Sequence, residues 1–449
     1  MIRKPTRRLK PARLLPATAL ALLLAGCGTA DWFGDNETPP LPGNRVPVLQ
    51  LSHKVEPDPR VAATPLALPA PARNVSWPQP GGNPDHAMGN LALGDSLKEA
   101  WRSDIGAGSS SGQRILARPV VADGRVFTMD ADSTVSAIDA ASGRLVWGVG
   151  LTPDSEDSGA IGGGVSFAEG RVYAATGYGE VVALEPATGK VLWRKKVSGP
   201  VRGAPTVTGG RVFVVTIDNQ LVALAANDGA NLWSHTGILE QAGLLGASSP
   251  AADGGIVIAP YTSGELVALR VENGRVAWSD TLASVRRVDA LSNLADIRGL
   301  PVIDRGVVLA VSHSGRMAAI DERTGARIWD QEIGGVETPW VAGDNVFVIT
   351  ADNEAVALDR KTGRARWVEA LPRYNDPKDR SEPVIWAGPV MGGGHLWVVS
   401  NRGDLWALDS ANGKPVRQSR LPDGSTLAPV IADNTLYVLT DSGTLVAYR

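Results

Sequence analysis

A block that returns every 38–51 residues along most of this chain decides its architecture. The first copy opens at Pro119-Val-Val-Ala-Asp-Gly-Arg-Val-Phe127 and ends at Trp147. Related copies end at Trp193, Trp233, Trp278, Trp329 and Trp367; a seventh opens at Pro389 and carries Arg417 in place of the Trp. Four residues before that last position stands a Gly (Gly143, Gly189, Gly229, Gly274, Gly325, Gly363, Gly413). Ten residues before it stands an Ala (Ala137, Ala183, Ala223, Ala268, Ala319, Ala357, Ala407). The spacing varies in the connections, where insertions are tolerated.

Within a copy the pattern is that of short strands. Arg211–Thr216 is β-branched and apolar, Asp218-Asn219 reverses the chain, Gln220–Leu224 returns, and Asp228-Gly229 leads into Asn231–Trp233. The stretch opening at Pro205 supplies a fourth strand. Four strands in each repeat of this length mark a propeller blade, and a blade buries both faces only by stacking on neighbours. The Trp supplies area for that stacking, about 200 Å² per indole, and a Gly peptide and a small Ala give it a flat seat. The eighth copy opens at Pro429 and stops at Arg449 before any Gly or Trp. Its missing strand is expected from Lys98-Glu-Ala-Trp101-Arg102, which carries an orphan Trp. The fold class expected is thus all-β: an eight-bladed propeller of four-stranded antiparallel blades, its last blade closed by the N-terminal strand and left without a free edge.

Three regions follow. Residues 1–26 hold six basic side chains, no acidic ones and an apolar run from Leu14 to Ala25, too short for a permanent membrane span. Leu24-Ala25-Gly26-Cys27 resembles the bacterial lipobox, which implies signal-peptide cleavage before Cys27 and lipid attachment to its thiol. Gly28 in place of an Asp after that Cys implies transfer to the outer membrane, facing the periplasm. Residues 27–75 read as a Pro-rich tether whose prolines break every candidate helix or strand, and residues 76–449 as the propeller. Without the leader, 38 basic face 47 acidic side chains, a balance that does not attract nucleic acid. Cys27 is the single cysteine, so no intramolecular disulfide and no Cys-based metal site is available.

The copies Ala183-Leu-Glu-Pro-Ala-Thr-Gly189-Lys-Val-Leu-Trp193 and Ala319-Ile-Asp-Glu-Arg-Thr-Gly325-Ala-Arg-Ile-Trp329 resemble the tryptophan-docking motif of PQQ-type propellers. Trp77-Pro-Gln-Pro-Gly-Gly82 resembles the opening segment of the same superfamily. With the lipobox, the tether and one propeller filling the chain, the layout is similar to the BamB family of outer-membrane β-barrel assembly lipoproteins. That resemblance implies a non-catalytic scaffold that binds the barrel subunit BamA and assists unfolded outer-membrane proteins. It implies a contact surface in two connections. One is Gln241–Pro250, with Leu244, Leu245 and Gly246, where Leu245 stands in place of the family's Arg. The other runs from Trp278 to Pro301, the longest connection, with Arg286, Arg287, Asp296 and Arg298, where Arg298 replaces the second Asp of the family's pair.

The alternatives are a pyrroloquinoline-quinone-dependent dehydrogenase and an envelope scaffold unrelated to barrel assembly. Against the enzyme stands the absence of adjacent cysteines, on which alcohol-oxidising quinoproteins stack their cofactor. His53, His86, His235, His313 and His395 are scattered, form no metal pair and are expected at the surface or in loops. Asp139, Asp321, Asp359 and Asp409 recur at one place in the repeat and so read as turn formers. No catalytic residue, cofactor or metal is expected.

Overall fold

The computed structural model describes residues 55–449, apart from 158, 202, 241, 242, 245, 247 and 284–293. Cys27, Leu245, Arg286 and Arg287, with the leader and most of the tether, lie outside the described residues.

Residues 99–448 form eight four-stranded antiparallel sheets in chain order. Blade 1 is Val120–Ala122, Arg125–Met129, Thr134–Asp139 and Leu145–Gly150, and blades 2 to 7 repeat this meander. Blade 8 takes three strands from the C-terminus, Val430–Ala432, Thr435–Leu439 and Thr444–Tyr448, and its outer strand from Glu99–Asp104. In that closing pair Trp101 lies opposite Ala447, so the segment anticipated from the orphan Trp supplies the missing strand. Backbone bonds between Lys98 and Arg449 extend the seam by one more pair.

Alternation along the strands explains why the middle of every blade is apolar on both sides. In blade 1, Phe127, Ala137 and Trp147 join the core shared with blade 2, while Val126 and Ile138 join the core shared with blade 8. Both faces of each sheet are buried, so the inner strands read as continuous β-branched runs instead of alternating with polar residues. The outer strands are half exposed and free on one edge, the closing strand Glu99–Asp104 included, so pairing the termini closes the ring but does not remove the free edge as expected.

The recurrent Trp, Gly and Ala take distinct parts. The Ala is the cross-strand neighbour of the Trp in its own blade, as in Ala137–Trp147 and Ala223–Trp233. The Gly belongs to the next blade. A Cβ on Gly229 would stand 2.7 Å from Cε3 of Trp193, and one on Gly189 would stand 2.7 Å from Cε3 of Trp147. Each indole also donates to a carbonyl of that next blade, for example Trp147 to Pro186 at 2.8 Å and Trp193 to Ala226 at 3.0 Å. At the junction between blades 7 and 8, Arg417 takes the place of the Trp and its guanidinium donates to the carbonyl of Asp95.

The stretch expected to be free tether is docked from Val55 onward. Asp58 caps the short helix Pro59–Ala62, with Pro59 in the first turn, where a missing N–H costs nothing. The expectation that prolines exclude every helix fails at this one turn. From there the chain crosses the face that carries the turns between first and second strands and meets every blade in sequence. The Asn74 carbonyl accepts from Asp433 of blade 8, Trp77 pairs with Val121 of blade 1, and Pro78 accepts from Phe167 of blade 2. Gln79 holds blade 3 through both ends of its amide, to the Val207 carbonyl at 2.8 Å and from the Val207 N–H at 2.9 Å. Pro84 and Asp85 accept from blades 4 and 5, Gly89 accepts from Trp340 of blade 6, and Leu91 pairs with blade 7. The turn at Gly81 and Gly82, with φ of 72° and 100°, folds tightly over His86 and Met88, which a Cβ on either glycine would strike. This girdle closes one end of the central channel.

Candidate functional site

Antiparallel meanders place the inter-blade connections on the face opposite the girdle, beside the turns between second and third strands. On that face the connection leaving blade 3 begins with Gly237 packed on Tyr261, then exposes Ile238 and Leu239 at 59% and 66% of their surface. Ile238 is held by its backbone: its N–H donates to Glu265 at 2.7 Å and its carbonyl accepts from Asn219 at 2.6 Å. A few residues on, half-buried Leu244 lines a cleft of about 390 Å³ between blades 3 and 4, with Ile217, Thr262, Asp296 and Ile297 among its walls. That volume lies within the range of ligand-sized concavities.

Asp296 is 2% exposed and accepts the Leu244 N–H at 2.9 Å. The carboxylate therefore fixes the loop that carries Leu244 and does not present itself at the surface. Arg298 turns to the axis. It lies over Gly246, where a Cβ would come within 2.8 Å of its Nε, and both residues line an axial cavity of about 60 Å³. Four of the residues singled out from the sequence, Leu244, Gly246, Asp296 and Arg298, thus come together between blades 3 and 5. The exposed Ile238-Leu239 pair was missed, although two branched apolar residues directly after an outer strand are a legible signal. Also unforeseen is a small polar hairpin, Tyr374–Asp376 with Ser381–Pro383, inserted between blades 6 and 7.

The axial cavity is a fraction of the 300–1,000 Å³ usual for cofactor-sized ligands. Its charged lining among the described residues is Arg118, Arg298 and Glu337. Burial raises the Glu337 carboxyl above its ordinary range, and the Arg118 and Arg298 guanidiniums oppose that. Of the histidines expected at the surface or in loops, His86 lies in the irregular girdle segment and is buried there. Its Nδ1 lies 2.7 Å from the Pro301 carbonyl, and burial lowers its pKa to about 4, so it is neutral at pH 7. His235 stacks on Tyr261 with Nδ1 2.8 Å from its hydroxyl, a structural contact at the edge of blade 4. The recurrent carboxylates behave as turn formers: Asp139 accepts from the Ser142 N–H at 2.9 Å, and Asp321 from that of Thr324 at 2.8 Å.

The architecture and this face can be set beside known proteins. The sequence matches the family described as "Outer membrane protein assembly factor BamB" over residues 95–157, 131–369 and 377–449. A relative of that name from Yersinia pestis is 29% identical over 359 residues, covering 79% of this chain and 89% of the relative. The crystal structure of BamB from Moraxella catarrhalis superimposes with a TM-score of 0.67 at 19% identity, over 79% of this chain and all of that one. A quinohemoprotein alcohol dehydrogenase from Comamonas testosteroni superimposes with a TM-score of 0.63 at 16% identity, over 84% of this chain and 81% of that one, which is a likeness of fold. The family match over nearly the whole propeller leads to one assignment: this chain belongs to the BamB family of outer membrane protein assembly factors.

Proposed function

We propose that this protein is a non-catalytic scaffold, lipid-anchored at Cys27 after removal of residues 1–26 and facing the periplasm. It grips a BamA-type barrel subunit and assists folding and insertion of outer-membrane proteins. The observation that carries the proposal is the exposed Ile238-Leu239 pair beside the Leu244-lined cleft, on the face where the family resemblance puts its contact loops. Apolar side chains held in the open by fixed backbone lose water when a partner covers them, which favours association. Leu245, Arg286 and Arg287 extend the contact, while Asp296 and Arg298 act from behind the surface, the first by holding the loop and the second by lining the channel. Free outer-strand edges offer a second mode, in which extended substrate segments add to a blade.

A pull-down from detergent-solubilised envelopes is the test. Wild type recovers the BamA-type subunit; Leu244→Asp and Ile238→Asp each reduce recovery at least tenfold with unchanged circular dichroism. Absence of the barrel subunit, together with cofactor- and calcium-dependent dye reduction by the purified chain, would establish the dehydrogenase instead. Absence of both would favour a scaffold of another envelope complex.

A further inference from the structure

We propose that the axial cavity is a binding site for one small monovalent anion, of which chloride is the simplest, held between Arg118 and Arg298. Two guanidiniums and one carboxylate line a cavity of about 60 Å³, so among the described residues the charge there sums to one positive. A guanidinium keeps its proton, so the two half-buried arginines leave an excess of positive charge at the cavity that favours an anion.

Among the described residues neither arginine makes a short ion pair. Arg118 has five N–H donors, yet its contacts are long: 3.5 Å to the Thr338 hydroxyl and 3.6 Å to Glu337. Burial lowers its proton affinity, and Glu337 offsets that only in part. Glu337 is itself divided, since it also accepts the Gly388 N–H at 3.2 Å. Arg298 has no hydrogen-bond or ion-pair partner among the described residues and is held over Gly246 at the cavity wall. His86, behind the cavity on the girdle side, is neutral and adds no charge.

Size selects the ligand. The cavity's space of about 60 Å³ suits a small ion, against the 300–1,000 Å³ usual for a quinone- or sugar-sized ligand. Ser249 lines the same space and supplies a hydroxyl. One bound monovalent anion brings the local charge to zero, which a divalent oxyanion overshoots.

The experiment is chloride-35 line broadening with the full-length protein in detergent, titrated with bromide and with gluconate at constant ionic strength. Wild type should show saturable excess broadening that bromide displaces and gluconate does not. Arg298→Gln should weaken chloride binding at least tenfold. Crystals grown in bromide should show an anomalous peak inside the cavity. Broadening that does not saturate, equal competition by gluconate, or a folded Arg298→Gln variant that binds like wild type overturns the proposal. If that variant fails to fold, the bromide peak decides: density in the cavity supports the site, and density only at the outer surface refutes it.

Discussion

Gly229→Ala adds one methyl group at the junction of blades 2 and 3. Gly229 has φ of 73°, so Ala there carries the left-handed penalty, about 1–2 kcal/mol. Its Cβ would stand 2.7 Å from Cε3 of Trp193, against a comfortable carbon–carbon separation of ~3.5–4.0 Å. The indole must shift. That strains a packed contact, typically about 1–3 kcal/mol, and endangers the 3.0 Å bond from Trp193 Nε1 to the Ala226 carbonyl, worth about 1 kcal/mol. Altogether the substitution should cost about 3–6 kcal/mol. Gly210 in the same blade is the internal control. Its φ of 72° imposes the same backbone penalty, but no atom lies within 4 Å of its would-be Cβ. Gly210→Ala should therefore cost only about 1–2 kcal/mol. Urea unfolding followed by circular dichroism reads the two midpoints directly. Equal midpoints would show that the Gly–indole seat does not hold the blades together, and the account of the ring given above would fail with it.

Three further outcomes follow from other parts of the molecule. Gln79→Ala removes both partners of the buried Val207 backbone and should destabilise by about 2–4 kcal/mol, whereas Arg73→Ala, at an exposed ion pair with Asp433, should cost under about 1 kcal/mol; thermal melts compare them. His86 has its folded-state pKa depressed to about 4 from an ordinary 6.5, so the unfolded chain takes up a proton that the folded chain refuses. Stability should accordingly fall as pH drops from about 6.5 towards 4, by up to ~3 kcal/mol, and His86→Gln should flatten that slope in a pH series of denaturation midpoints. Asp296→Asn replaces the charged acceptor of the Leu244 N–H by a neutral one and should raise amide exchange at Leu244 while leaving exchange in the inner strands unchanged, measured by hydrogen exchange.

Much of the ring was legible because its determinants are local and repeated. The spacing of Trp, Gly and Ala, the β-branched runs and the Asp/Asn-Gly reversals define a blade without long-range information, and the orphan Trp101 with the truncated last copy identified the closing strand. For the candidate site the sequence offered two connections, marked by Leu244 and Asp296, which the fold brings together; but a carboxylate in a loop reads the same whether it faces a partner or a backbone N–H.

What composition and repetition alone settled is therefore the all-β wheel, its number of blades and the pairing of its termini, since each follows from strand-length patterns that must bury two faces. Tertiary structure decided which blade supplies each Gly seat, that residues 55–93 dock instead of hanging free, and that Arg298, Arg118 and Glu337 converge on the axis. The docking and the axial cluster depend on groups more than a hundred residues apart, such as Gln79 with Val207 and Arg118 with Glu337, brought together only when the wheel closes. Neither hydrogen-bond direction nor the desolvation that unbalances a buried charge is written in the spacing of residues along a chain.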